Sequence, residues 1–401
     1  MVRPMFKSNL RQLVEIFLVS TKLGLTSFGG PVAHLGYFHH EYVQKRKWLD
    51  EESYADLVAL CQFLPGPASS QVGIGIGSMR AGVLGGLVAF MGFTLPSVLV
   101  LMVFALFFEG TAIGKTGWIH GLKIVAVAIV AQAIVEMAKK LVPDLKRKMI
   151  ALLALSITLL WETTLSQLSV IFMSGLLGLL FYQSLPIQLT ENNSSVTSKV
   201  ISRRFGISCL ILFVVLLIGL PLFQEMTNSK MVAIFDSFYR SGALVFGGGH
   251  VVLPLFEREF VTTGLIHPET FLAGYGVTQA VPGPLFTFAT YLGTILASWQ
   301  GGLLATLAIF LPGGLLILGV LPFWELVRQL PKIKGALMGV NAAVVGLLIA
   351  AFYQPIWQST IIQSRDFVFA ACLFSLLTYL KIPSWLVVIL GAIGGAIMAL
   401  F

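Results

Sequence analysis

The chain has 401 residues, of which 57% are hydrophobic and only 11% charged, with a mean hydropathy of +0.89. A soluble domain carries about 25% charged residues, so this composition excludes an ordinary soluble protein and points to a polytopic helical membrane protein. The net charge of +8 is what basic cytoplasmic loops produce, with attraction of an anionic substrate added to it, and no nucleic-acid partner is expected.

In chain order, apolar runs near the roughly 20-residue length that crosses a bilayer fall at 84–108, 119–138, 166–185, 205–223, 301–321, 335–353 and 383–401. Residues 11–44 are apolar but broken at Phe28-Gly29-Gly30-Pro31, with Lys22 just before the break. This stretch spans twice or dips and returns. Residues 53–64 would rise only about 18 Å as a helix, and a second break, Pro65-Gly66-Pro67, follows them. The segment 53–80 is therefore one broken helix or a re-entrant hairpin. The hairpin is favoured because it puts Lys45-Arg46-Lys47 and Arg80 on one cytoplasmic face. Further on, 149–161, 166–185 and 205–223 supply additional crossings. The polar segment 186–204 between them ends in Lys199, Arg203 and Arg204 and belongs in the cytoplasm.

The second half repeats the first. Phe17, Lys22, Gly24, Phe28-Gly29-Gly30 and Glu41 align with Phe235, Arg240, Gly242, Phe246-Gly247-Gly248 and Glu259 at an offset of 218. After one gap QFLPGP (62–67) aligns with QAVPGP (279–284). After another, Gly85-Gly86 and Thr94-Leu95-Pro96 align with Gly301-Gly302 and Phe310-Leu311-Pro312. This divides the chain into a first repeat (1–148), connecting helices with the polar linker (149–234), a second repeat (235–353) and terminal helices (354–401). Loops 45–47 and 139–148 are basic, whereas their counterparts hold no Lys or Arg (262–268) or only Arg365 (354–365). Conversely, 328–334 (RQLPKIK) is basic and 109–118 holds one lysine and one glutamate. The positive-inside rule then turns the halves upside down to one another. The expected fold is all-α and polytopic, with two homologous inverted-topology repeats and broken or re-entrant helices.

Breaks of this kind survive in hydrocarbon only where protein or a polar cavity covers the irregular backbone. Each break starts a new helix with unpaired N–H groups and partial positive charge, and several such starts facing one midplane make an anion site. Pro31, Pro67 and Pro284 suit the first helical position, and Gly249 stands where Pro31 would fall in the second repeat. Lys22 and Arg240 are repeat-paired cations expected to line that cavity; the alternative is snorkelling to the interface. Gln62 and Gln279 are placed to donate to an oxyanion or to satisfy freed carbonyls. Ser69, Ser70 and Thr287 are placed to donate at a helix start. His34 and His250 are candidate anion donors. Glu41 and Glu259 are candidate carriers of a coupling proton, or interfacial acids paired with Lys45 or Arg258. Arg80, which aligns with Leu296, would act asymmetrically, and Asn341 is a site residue or helix–helix glue. His39 and His40 are adjacent and point to different faces of a helix, so neither a metal site nor a cofactor is expected. Cys61, Cys209 and Cys372 are scattered apolar packing residues.

Phe28–Pro31 with Ala33-His34, Trp48 and QFLPGPASSQVGIGIG (62–77) strongly resembles the chromate ion transporter family. FGGGHVVLPLFEREFV (246–261) with GVTQAVPGP (276–284) resembles the other half of that family's two-domain form. The resemblance covers about 17–140 and 235–353. It implies a bacterial plasma-membrane protein that moves chromate, usually outward, as a resistance function. The N-terminus is expected in the cytoplasm. It carries over, as substrate-binding segments, Phe28, Gly29, Gly30 and Pro31; Pro65, Gly66 and Pro67; Phe246, Gly247, Gly248 and Gly249; and Pro282, Gly283 and Pro284, with the basic residues beside them. Expected partners are the oxyanion, the lipid bilayer and a second copy in a possible homodimer. Chromate and sulfate are both tetrahedral dianions, so preference for chromate rests on the resemblance alone. A sulfate carrier, a passive anion channel and a membrane enzyme or scaffold remain as alternatives, although HExxH, paired-aspartate and Walker A motifs are lacking.

Overall fold

The computed structural model describes residues 10–28, 30–109, 117–161, 164–182, 201–227, 229–246, 249–324 and 331–400. Among the described residues every regular element is a helix. Helix α1 (Leu10–Thr26) stops after Ser27, whose N–H still reaches Leu23 O at 2.9 Å. Helix α2 (Gly30–Phe38) then returns and continues as a π-helical stretch, His39–Lys45. Residues at similar distances on either side of the break face each other: Ser20 Oγ lies 3.3 Å from Tyr42 Oη, Lys22 Nζ 2.8 Å from Glu41 Oε2, and Arg46 Nη1 3.1 Å from Glu15 Oε1. The stretch is a helical hairpin, so both of its ends lie on one side.

Asp50 caps α3 (Glu51–Phe63), accepting from Ser53 N at 2.7 Å. After the break at Leu64–Pro67 comes α4, Ala68–Glu109. A methyl group at Gly75 would sit 2.7 Å from the Leu57 side chain, yet residues 57 and 75 of a continuous helix would be about 27 Å apart. Residues 51–80 are therefore a hairpin and not one broken helix. The chain turns back again inside α4. Ala81 (φ −138°, ψ 26°) and Gly82 (φ 69°, ψ −166°) leave the helix, and Gly77 and Gly86 pack backbone-close against Gly85 and Ser78. The arm 68–80 is thus short, and the arm 83–109 is the one long enough to cross.

Helices α5 (Gly117–Leu141), α6 (Leu145–Leu160), α7 (Thr164–Phe181) and α8 (Arg203–Thr227) lead to the second half. There α9 (Lys230–Leu244) meets a returning 3-10 turn (Gly249–Val251), α10 (Val252–Phe256) and a π-helical stretch (Glu257–Val261). Ser237 Oγ donates to Glu259 Oε1 at 2.6 Å across this hairpin. Helix α11 (Pro268–Thr278) pairs with the first arm of α12 (Phe288–Val320), Tyr291 Oη donating to Thr270 O at 3.0 Å. Helix α12 reverses at Ala297 (φ −152°, ψ 42°) and Ser298 (φ 54°, ψ −162°), and Thr290 Oγ1 meets Thr306 Oγ1 across the fold at 2.7 Å. Helices α13 (Pro331–Ala351), α14 (Ser364–Thr378) and α15 (Ser384–Met398) complete the chain. The repeated Gly85-Gly86 and Gly301-Gly302 pairs are where the short and long arms touch.

The long arms of the two halves run antiparallel. Phe90 packs on Phe310 with ring centroids 5.1 Å apart, and Met102 Cε reaches 3.3 Å from the Cβ position of Gly302. Among the described residues five helices are long and apolar enough to cross a membrane. Helix α8 displays Ile207, Ile211, Val215, Ile218 and Leu222 on its outside, a greasy face that suits lipid and not water. The chain is a multi-pass membrane protein.

Candidate functional site

Four hairpin tips meet inside the protein, in crossed pairs. Gly66 N donates to Val245 O at 2.8 Å, and Gly283 N donates to Ser27 O at 2.9 Å. The second hairpin of each half thus bonds the first hairpin of the other. Both donors have backbone that favours glycine, with φ +115° at Gly66 and +105° at Gly283. Each also lies against a long arm: a Cβ on Gly66 would meet Gly313 Cα at 3.0 Å, and one on Gly283 would meet Ser97 Oγ at 3.0 Å. Gly313 and Ser97 are repeat-equivalent, each following the aligned Leu-Pro pair.

Helices begin just past the breaks, at Gly30, Ala68, Val252 and Phe288. Pro67 and Pro284 precede their helical segments and do not occupy the first helical position. Pro284 is extended, with ψ 129°, and precedes a 3-10 turn whose Thr287 Oγ1 donates to Pro284 O at 2.7 Å. Pro31 is the second residue of α2, and Gly249 opens a 3-10 turn. Pro65 and Pro282 lie in the tips. Phe28 faces Trp385 with ring centroids 6.1 Å apart, and Phe246 is half-buried against the core. Gly29, Gly247 and Gly248 lie outside the described residues.

The cations differ most from expectation. Lys22 does not present an unpaired charge: its Nζ is 2.8 Å from Glu41 Oε2. Glu41 is buried and also holds Arg46 Nε at 2.9 Å and Lys45 Nζ at 3.9 Å. Arg240 is likewise committed, with Nη2 2.8 Å from Asp236 Oδ2 and 3.5 Å from Glu259 Oε1. The reason is the hairpin itself, which brings position 22 opposite 41 and position 240 opposite 259. The offset of 218 that links the cations also links the acids, so the duplication preserved an ion pair and not a lone charge. Glu259 pairs with Arg240, and Arg258 instead donates to Trp161 O at 2.8 Å. Arg80 sits far from the tips, 3.0 Å from Glu15 and over the Trp48 ring at 4.3 Å.

Gln62 is exposed on the last turn of α3. Its expected task falls to Gln71, whose Nε2 donates to Pro65 O at 2.9 Å and to Gly313 O at 3.2 Å. Gln279 O accepts from Ser384 Oγ at 3.3 Å, which ties the start of α15 to the tip. His34 is buried, edge-on to Phe93 at 5.6 Å, and its Nδ1 has no hydrogen-bond partner among the described residues. His250 Nδ1 pairs with Tyr275 Oη at 2.8 Å. Ser69 and Ser70 are buried in the first turn of α4. Asn341 is half-buried on α13, whose neighbouring Val340 approaches Gly175 of α7. His39 pairs with Glu51 and His40 with Gln44. Sequence reasoning missed Asp236, Gln71 and the Ser27 carbonyl. The signals were a carboxylate one turn before Arg240, an amide one turn past Pro67, and a residue beside the Phe-Gly-Gly motif.

Fold and tips define a multi-pass membrane protein of duplicated, broken helical hairpins, a plan on which secondary transporters are built. The chain belongs to the chromate transporter family, whose sequence model matches residues 14–179 and 232–396. Each match extends beyond the aligned motifs to include α6 with α7, or α14 with α15. An uncharacterized transporter of Methanocaldococcus jannaschii is 29% identical over 362 residues, covering 87% of this chain and 88% of that one. A probable chromate transport protein of Synechococcus elongatus is 28% identical over 402 residues, covering 97% and 95%. The chromate transport protein of Cupriavidus metallidurans is 28% identical over 350 residues, covering 85% and 81%. No solved structure matches the chain.

Proposed function

We propose that this protein is a secondary carrier that moves chromate outward across a bacterial plasma membrane, its N-terminus in the cytoplasm. The halves are inverted repeats in the membrane, and the anion sits where the crossed tips meet. The supporting observation is the pair of tip contacts, Gly66 to Val245 and Gly283 to Ser27, formed between hairpins of opposite halves. With the basic ends of the first-half hairpins in the cytoplasm, each crossing joins one hairpin from either side. Rocking of one half on the other would open these contacts towards alternate faces, and the helix starts beside them favour an anion. Lys22 and Arg240 set the hairpin geometry from the shafts, and the tip backbone and hydroxyls meet the substrate. The relatives named for chromate transport support the substrate.

The test is accumulation of radiolabelled chromate in inside-out vesicles, with sulfate as competitor. The reading expects saturable uptake on which sulfate competes weakly. Uptake no greater than in vesicles lacking the protein would overturn it, and strong preference for sulfate would reassign the substrate.

A further inference from the structure

The two tip crossings are related by the duplication, but their side chains are not alike. At the crossing of Ser27 with Gly283, the surrounding positions are Ser27, His34, Thr94 and Ser97, all essentially buried. Their counterparts at the other crossing are Val245, Val252, Phe310 and Gly313. The first crossing is joined by a chain of contacts. Ser27 O accepts from Gly283 N at 2.9 Å, Gly283 abuts Ser97 Oγ, and Ser97 Oγ donates to Thr94 O at 2.9 Å. Among the described residues, the Ser27 Oγ and Thr94 Oγ1 hydroxyls there, and His34 Nδ1, are buried without a hydrogen-bond partner. A buried hydroxyl left unpaired carries a desolvation penalty that an acceptor removes. The second crossing is already tied, since the Gln71 amide donates to both Pro65 O and Gly313 O. Among the described residues, the unpaired side-chain atoms beside it are Ser70 Oγ and Gln71 Oε1, and the latter is an acceptor that repels an anion.

From this asymmetry we infer that the chain holds one tetrahedral oxyanion, at the Ser27–Gly283 crossing, with the Ser27 and Thr94 hydroxyls as donors that set its affinity. The inference rests on the carrier reading above. An inverted repeat with two equivalent crossings would bind two anions or share one on the axis. Here the duplicated scaffold is used once, and the second crossing serves as a closed pivot. Neutral hydroxyl donors also bind a dianion without the Lys22 and Arg240 charges, which the shafts already occupy.

The experiment measures chromate transport kinetics in inside-out vesicles for Thr94→Val, Ser27→Ala and Thr94→Ser, alongside equilibrium binding of chromate to the purified chain. Thr94→Val and Ser27→Ala should each raise KM about tenfold or more, with kcat changing less than KM. Thr94→Ser keeps the hydroxyl and should restore most of the affinity. Thr306→Val, which removes a buried hydroxyl away from the tips, controls for packing and should keep the wild-type KM. Binding should saturate at one anion per chain. Wild-type KM in both Thr94→Val and Ser27→Ala, or a raised KM in Ser70→Ala alone, would overturn the assignment while leaving the carrier reading intact. Two anions per chain would also overturn it. No transport by the wild-type chain would remove the carrier reading and this inference together.

Discussion

Replacing Arg240 by glutamine should damage the fold before it damages affinity. Arg240 donates through Nε at 2.9 Å and approaches through Nη2 at 2.8 Å the same oxygen, Asp236 Oδ2. Asp236 is fully buried, and its other oxygen has no partner among the described groups. Arg240→Gln therefore strands a carboxylate inside the bundle, which costs about 3–5 kcal/mol for a buried pair. Arg240 keeps 28% of its side chain exposed, so the lower end of that range applies. Lys22→Gln is the informative contrast. Lys22 is 50% exposed, and Glu41 keeps Arg46 at 2.9 Å, so the loss should be about 0–1 kcal/mol. The assay is thermal unfolding of the purified chain in detergent, with Asp236→Asn and the double variant completing a cycle. The double variant should recover about 2 kcal/mol of the Arg240→Gln loss, near the upper end of coupling for residues in contact. Arg240→Gln as stable as wild type, or strictly additive losses, would refute the pairing.

Gly66→Ala forces a side chain onto φ +115° and against Gly313 Cα, so strain of about 1–3 kcal/mol should be joined by loss of chromate uptake. Gly30→Ala, with nothing within 4 Å of its Cβ position, should bear strain alone and keep more activity in the same vesicle assay. Gln71→Leu should destabilise the tip by about 1–3 kcal/mol for each carbonyl it orphans, read as a lower thermal midpoint. In a Cys372→Ala background, leaving only the buried Cys61 and Cys209, single cysteines at 45–48 and 328–334 should label from the cytoplasm and those at 262–266 from outside; labelling of 45–48 and 262–266 from one face would end the inverted-repeat reading. Asp144, in the loop before α6, is opposed by desolvation. The Arg147 N–H, the Tyr182 hydroxyl and the Arg147 guanidinium outweigh it and lower its carboxyl from 3.8 to about 2. Its contribution is complete above the unfolded value and lost as pH falls from 3.8 towards 2, so Asp144→Asn should flatten the acid limb of a stability–pH curve.

Much of this architecture is legible in the sequence because proline and glycine punctuate an apolar chain strongly. The breaks at Phe28–Pro31 and Pro65–Pro67, and their duplicates, mark the tips. The charged loops follow the helix ends. The reversals at Ala81-Gly82 and Ala297-Ser298 are hidden, because no proline marks them and Arg80 and Gln300 are the only strongly polar residues beside them. One is set by a serine at φ 54°, which no local pattern signals. The commitment of Lys22 and Arg240 to acids is also hidden, although Glu41 and Glu259 lie at the same offset and Asp236, the closer partner of Arg240, lies one turn before it. Pairing across a hairpin depends on where its tip falls, and spacing alone leaves that open by a turn. The crossing of tips from different halves is a contact between residues about 180 to 260 positions apart, and a single sequence holds no local signal for it.

The most direct measurement is an experimental structure of the chain in lipid nanodiscs with chromate bound. The account predicts oxyanion density at the crossed tips, within hydrogen-bonding distance of Ser27 and Thr94, with Lys22 still on Glu41 and Arg240 on Asp236. Density instead at the Arg80–Trp48 cluster, or in the cavity of about 200 Å³ lined by Thr158, Arg258 and Gln354, with the tips empty, would contradict it.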